Sequence, residues 1–190
     1  MKTTTLNALS KSALPRRYWD MLLLHLHKTK NDIEPLSFVE ILNVYDLELT
    51  LWCCRVAPEY AEDWRLFSVF CARQTLFLSS DPRSSEAVSV AETYALGESS
   101  SATLSTARIA SELAVLDSGC ATELASRSAA LLTTGDCAEH TVWAASKAVL
   151  RAVARFVESS SLSNTHIEIN TSYDVIRSAQ KRRFARIISR

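Results

Sequence analysis

Glycine is scarce in this 190-residue chain. It occurs three times, where ordinary usage of roughly 7% would give about 13. Proline occurs four times. A chain so poor in residues that turn tightly or accept positive φ is badly suited to hairpins, phosphate-binding loops or a many-stranded barrel. A disulfide framework is also lacking: the five cysteines are odd in number and irregular in spacing, which points to a reducing cytoplasm. Apolar runs stop at a single helical turn, as at residues 21–24, far short of the roughly 18 residues of a membrane span. Nor is there a G-x-S-x-G, an H-E-x-x-H, a Walker sequence or a G-x-G-x-x-G, the short patterns that place nucleophiles, metals and phosphates. The expectation is an all-α protein, with no catalytic residues and no cofactor.

What is present suits a folded body. Apolar residues make up 47% and charged residues 22%, and the length fits one domain with its own core. The net charge is zero but unevenly spread. Residues 1–30 carry +5, residues 31–172 carry −10 and residues 173–190 carry +5. Basic ends around an acidic middle suggest either packing of the ends on the body or two faces offered to partners. Lys2, Lys11, Arg16 and Arg17 precede the first acid, so residues 1–14 read as a basic, flexible arm.

Periodicity and capping signals predict seven to nine helices in a compact bundle or in stacked hairpins. Helices are expected at 16–28, after the Ser37–Glu40 capping box, at 47–56 behind Asp46, and at 82–96 between Asp81–Pro82 and Gly97. Residues 61–78 give the strongest helical signal: Trp64, Phe67, Cys71 and Leu78 share one stripe, and Leu66, Phe70 and Phe77 a neighbouring one. A helix apolar around so much of its girth is expected at the centre of the fold. Ala- and Ser-rich helices follow at 102–117, 121–133 and 137–158. Residues 159–171 read as a linker, with HIEI (166–169) briefly extended, before a last helix at 172–189.

The stretch LWCCRVAPEYAEDWRLFSVFCARQ (51–74) concentrates three cysteines and two tryptophans. Adjacent Cys53 and Cys54 diverge by about 100° on a helix and do not readily share a metal. A nucleophilic thiolate needs a base or a cationic pocket, and acids at Glu59, Glu62 and Asp63 crowd this segment. Those acids suit the start of a helix, where they favour the macrodipole. Trp52, Cys54, Trp64, Phe67, Phe70, Cys71 and Phe77 are therefore expected in the core. Cys137 and His140 are three apart at a helix start and form half a metal site, with no second half in view. His25 and His27 face apart. No metal is expected. The better binding candidate is the last helix, where Arg177, Lys181, Arg182, Arg183, Arg186 and Arg190 crowd together. Such a strip meets phosphate or an acidic protein face, and nucleic-acid association through it is the alternative reading.

Several segments together resemble a family. They are Trp64 followed by Ala72–Arg73, then Asp81–Pro82–Arg83, Ala95–Leu96–Gly97–Glu98, and alanine-rich helices around His140. The chain from about 62 to 158 is similar to the small Ala-rich helical immunity proteins of the polymorphic-toxin kind, found in bacterial and phage genomes. The resemblance implies a non-enzymatic binder encoded by a phage or mobile element and working in the bacterial cytosol. Its partner would be another protein or a ribonucleoprotein complex. It would occupy a host defence complex, as anti-CRISPR proteins do, or neutralise a toxin.

Overall fold

A computed structural model describes residues 1–30, 32–160 and 165–190. Its elements run β1 (Thr3–Thr5), α1 (Leu6–Leu9), α2 (Arg16–His25), β2 (Pro35–Ser37), α3 (Phe38–Val44), α4 (Leu47–Cys53), α5 (Ala61–Arg73), α6 (Pro82–Ala95), α7 (Ser101–Leu116), α8 (Ala121–Thr133), α9 (Ala138–Ser160) and α10 (Thr165–Ile188). The all-α expectation holds. Among the described residues there are ten α-helices, and the one beyond the expected range is the four-residue α1. No helix among the described residues is long and apolar enough to cross a membrane.

Local chemistry sets most boundaries. Ser37 caps α3 reciprocally: its Oγ accepts from Glu40 N–H at 3.1 Å, and Glu40 Oε2 accepts from Ser37 N–H at 3.1 Å. The Asp46 carboxylate accepts from Leu49 N–H at 3.0 Å and opens α4. Gly97 ends α6 at φ +76, with Glu98 N–H reaching the Thr93 carbonyl and Gly97 N–H the Tyr94 carbonyl. That pair of bonds is the Schellman arrangement, which favours a residue without Cβ.

Three expectations fail, two where a tertiary contact overrides a local signal and one where helix propagation does. Residues 1–14 are no loose arm. Thr3–Thr5 pairs antiparallel with Pro35–Ser37, Thr4 opposite Leu36, and Leu6 and Leu9 are buried. Lys2 turns inward, 2.8 Å from Asp63 and over the Tyr60 ring, while its N–H donates to the Ile188 carbonyl. Charge on Lys2 thus ties the start of the chain to α5 and α10 rather than holding it in solvent.

The helix expected over 61–78 stops at Arg73 and resumes as a 3-10 turn at Leu76–Leu78. Ser126 Oγ on α8 donates to the Thr75 carbonyl at 2.7 Å, which also accepts from Leu78 N–H at 3.0 Å. This carbonyl thus closes a 3-10 turn and takes a bond from α8 where a continuing α-helix would have engaged Ser79 N–H. Phe77 loses the helical register that would have buried it and is 74% exposed.

The linker expected at 159–171 contracts. α9 continues to Ser160 and α10 begins at Thr165, so HIEI is helical and Ser172, the expected first residue of the last helix, lies inside it. Extending an existing helix needs no new nucleus, which offsets the β-propensity of two isoleucines. The rest of that stretch, 161–164, lies outside the described residues.

The centre belongs to two helices, α5 and α9. α5 packs against α6, α8, α9 and α10, and α9 against α4, α5, α8 and α10. Small residues permit the α8–α9 contact, where Ala129, Ala130, Ala138, Val142 and Ala145 are all buried. Between these helices, a Cβ on Gly135 would come within 2.6 Å of Thr141 Cγ2. Gly135→Ala is expected to lose about 1–3 kcal/mol by overpacking, measurable as a lower urea midpoint at unchanged m-value.

Candidate functional site

The cysteine and tryptophan cluster is packing. Cys53, Cys54 and Cys71 are buried. Burial pushes the Cys53 thiol up to about 12 and holds those of Cys54 and Cys71 well above the usual range. Neutral thiols in an apolar setting are poor nucleophiles. Cys54 Sγ faces the Thr50 carbonyl at 3.7 Å in its own helix.

Trp64 is fully buried. It stacks on Phe184 of α10 at 5.8 Å and meets Phe38 and Tyr60 edge-on, and its indole N–H donates to the Ala57 carbonyl at 2.9 Å. Phe67 is buried against Phe184 as well. Trp52 and Phe70 are only half-buried, so neither belongs to the inner core. Trp52 meets Trp143 of α9 edge-on at 5.3 Å, with the Arg55 guanidinium over its ring. The two tryptophans of α4 and α5 therefore anchor different partners, α9 and α10, and do not knit their own helices together.

Charged residues that periodicity did not single out lie deep in the fold. Arg127 is buried on α8. Its NH1 donates to the Ala114 carbonyl at 2.7 Å and lies 3.6 Å from Asp81, and its NH2 lies 3.3 Å from Glu123. Asp81 also accepts from Arg83, whose NH2 continues to Asp117 at 2.7 Å. Hydrogen bonds from the Arg83 side chain hold the Asp81 carboxyl at about 2, well below the carboxylate norm. This network joins the start of α6, the end of α7 and α8. Arg65, buried on α5, donates to the Thr133 carbonyl at 2.6 Å. Desolvation lowers its pKa, against the opposing field of Tyr94, Asp136, Glu139 and Cys137. An isolated arginine in an Ala-rich helix was the only signal for Arg127, and an arginine beside Trp64 in an aromatic helix the only one for Arg65.

Cys137 and His140 come together at the start of α9, as their spacing allows, and Glu139 joins them. One donor atom from each of the three lies within 4.8 Å of the others. Cys137 and His140 are exposed and Glu139 is buried. His25 and His27 are both exposed on α2 and the turn after it.

The basic residues of α10 divide into two groups. Arg177 is engaged with Asp46 at 2.7 Å and with the Tyr173 hydroxyl at 3.1 Å, and Arg183 lies over the Phe70 ring. Lys181, Arg182, Arg186 and Arg190 are exposed. Among the described residues no carboxylate lies within ion-pair distance of any of these four. Val175, Arg182 and Arg186 recur at intervals of seven and four, which on an α-helix forms one stripe.

At the Val175 end the stripe meets an apolar groove of about 330 Å³ between α9, α10 and the turn after α5. Phe77 and Phe156 meet there edge-on at 6.0 Å. Phe77, Phe156 and Val175 are 74%, 42% and 61% exposed. A second exposed apolar row, Ile109, Leu113 and Leu116 on α7, is flanked by Arg108, Glu112 and Asp117 and so carries no single sign of charge. Comparison of the chain with family models, with curated proteins and with solved structures finds no match.

Proposed function

We propose that the protein works by occupying the surface of another protein, alone or within a ribonucleoprotein complex, and not by catalysing a reaction. The observation that carries this reading is the continuity of apolar and cationic surface along α10. Phe77, Phe156 and Val175 are exposed at one end, and Arg182 and Arg186 follow on the same stripe with no carboxylate within ion-pair distance among the described residues. Exposed aromatic rings beside uncompensated charge suit an amphipathic, acidic helix. Its apolar residues would fill the groove and its carboxylates would meet the arginines. The resemblance to immunity proteins extends the reading. The protein is then an inhibitor carried by a phage or mobile element, directed at a host defence complex in the anti-CRISPR manner or at a toxin.

The test is capture from nuclease-treated bacterial lysate on tagged protein, followed by binding measurements with the captured partner at two salt concentrations. The expected result is a stoichiometric acidic protein, bound less tightly as salt rises. Arg182→Glu with Arg186→Glu should weaken it by at least about 100-fold, and Phe77→Ala should weaken it independently of salt. Binding that survives both changes overturns the reading. So does material released by nuclease alone, which would make the partner a nucleic acid held by the basic helix.

A further inference from the structure

We propose that Cys137, Glu139 and His140 form a binding site for a borderline-soft divalent cation, Zn²⁺ foremost, at the first turn of α9. The three donors are of the right kinds: a thiol, a carboxylate and an imidazole within 4.8 Å of one another. Zn²⁺ takes sulfur at about 2.3 Å and nitrogen or oxygen at about 2.0–2.2 Å, so tetrahedral donors stand roughly 3.4–3.6 Å apart. Closing from 4.8 Å to that separation requires the side chains of Cys137, Glu139 and His140 to rotate onto the ion.

The backbone there is already fixed. His140 N–H donates to the Cys137 carbonyl at 3.0 Å, and Thr141 N–H to the same carbonyl at 3.2 Å. Gly135, two residues upstream, lets the connection press against Thr141.

An independent observation comes from Glu139. Its side chain is nine-tenths buried, at 9% exposure, yet among the described residues no donor lies within hydrogen-bond distance of its carboxylate. The charge it feels is that of Arg65, on the neighbouring helix. The Glu139 carboxylate oxygens are not among the buried polar atoms that lack a partner, so they keep access to solvent, and a cation shared with Cys137 and His140 reaches them from the surface. Charge supports the assignment. Binding releases the Cys137 thiol proton, and the occupied site, with one thiolate and one carboxylate on a divalent ion, is neutral beside Arg65.

A mixed sulfur, nitrogen and oxygen set selects against Mg²⁺ and Ca²⁺, which take oxygen. Three protein ligands leave the fourth position open to water or to a ligand group of a bound partner.

Co²⁺ titration of the full chain under reducing conditions tests this directly, because a thiolate–cobalt bond gives a charge-transfer band in the near ultraviolet. One equivalent is expected to saturate the band, and Zn²⁺ to displace it while Mg²⁺ does not. Cys137→Ser should abolish the band. Glu139→Gln and His140→Ala should each weaken binding at least tenfold, and Cys120→Ser, at the other exposed cysteine, should leave it intact. Circular dichroism of each variant separates loss of the site from loss of the fold. Absence of the band in the folded chain overturns the proposal, as does a band that persists in Cys137→Ser.

Discussion

Trp64→Ala is expected to lower the unfolding free energy by about 3–5 kcal/mol. Four aromatic rings converge at this residue: the indole stacks on Phe184, meets Phe38 and Tyr60 edge-on, and through Phe184 reaches Phe67. Truncation would open a cavity between α3, α5 and α10, where the indole now meets Phe38 and Phe184. It would also leave the Ala57 carbonyl, which now accepts from the indole N–H at 2.9 Å, without that donor. For a domain of this length such a loss lowers Tm by roughly 10 °C or more. Trp64→Phe should recover part of it, because the ring remains and only the indole edge and its hydrogen bond go. A loss below about 1 kcal/mol for the alanine variant would mean that the residue is not the packing centre described here.

Arg127→Met is expected to cost about 3 kcal/mol. Methionine keeps most of the side-chain volume, so the loss reports charge and hydrogen bonding more than a cavity. The Ala114 carbonyl, at the end of α7, would lose a charged donor at 2.7 Å, and Glu123 its nearest cation at 3.3 Å. Asp81 is spared the full penalty because Arg83 still holds it.

The same network fixes an acid response. The Asp81 carboxyl is depressed from 3.8 to about 2 in the folded chain, so the unfolded chain takes up its proton first as pH falls. The stabilisation is complete above about pH 4 and disappears as the pH drops through 2. Because hydrogen bonds from the Arg83 side chain are the largest cause, Arg83→Met should flatten this acid limb more than Arg127→Met does. Urea titrations between pH 2 and 5 read the difference. Equal acid limbs in all three proteins would show that Asp81 is not the titrating group.

The sequence made the helices legible wherever a boundary is local. Ser37 with Glu40, Asp46, Asp81 with Pro82, and Gly97 each satisfy or spare backbone groups within four residues of themselves, so their effect does not depend on what packs above them. The buried thiols were legible for a related reason: no base or cationic cluster accompanies them in the sequence. The candidate metal ligands were visible only in part. Cys137 and His140 share a helical face by spacing alone, whereas Glu139 became notable only when the fold set its carboxylate within 4.8 Å of both.

The pattern of side chains along the chain was enough to determine an all-helical protein built around aromatic and alanine-rich faces, because hydrophobic period and caps act over one or two turns. Tertiary structure decided which of those side chains stay available. Ser126 bonds the Thr75 carbonyl at the turn where α5 has ended, and Phe77 in that turn lies in solvent. Asp63 brought Lys2 inward. Asp46 and Phe70 engaged two of the six basic residues of α10 and left four exposed. Each of these outcomes depends on a group dozens of residues away in sequence, and a local pattern contains no term for a partner at that distance.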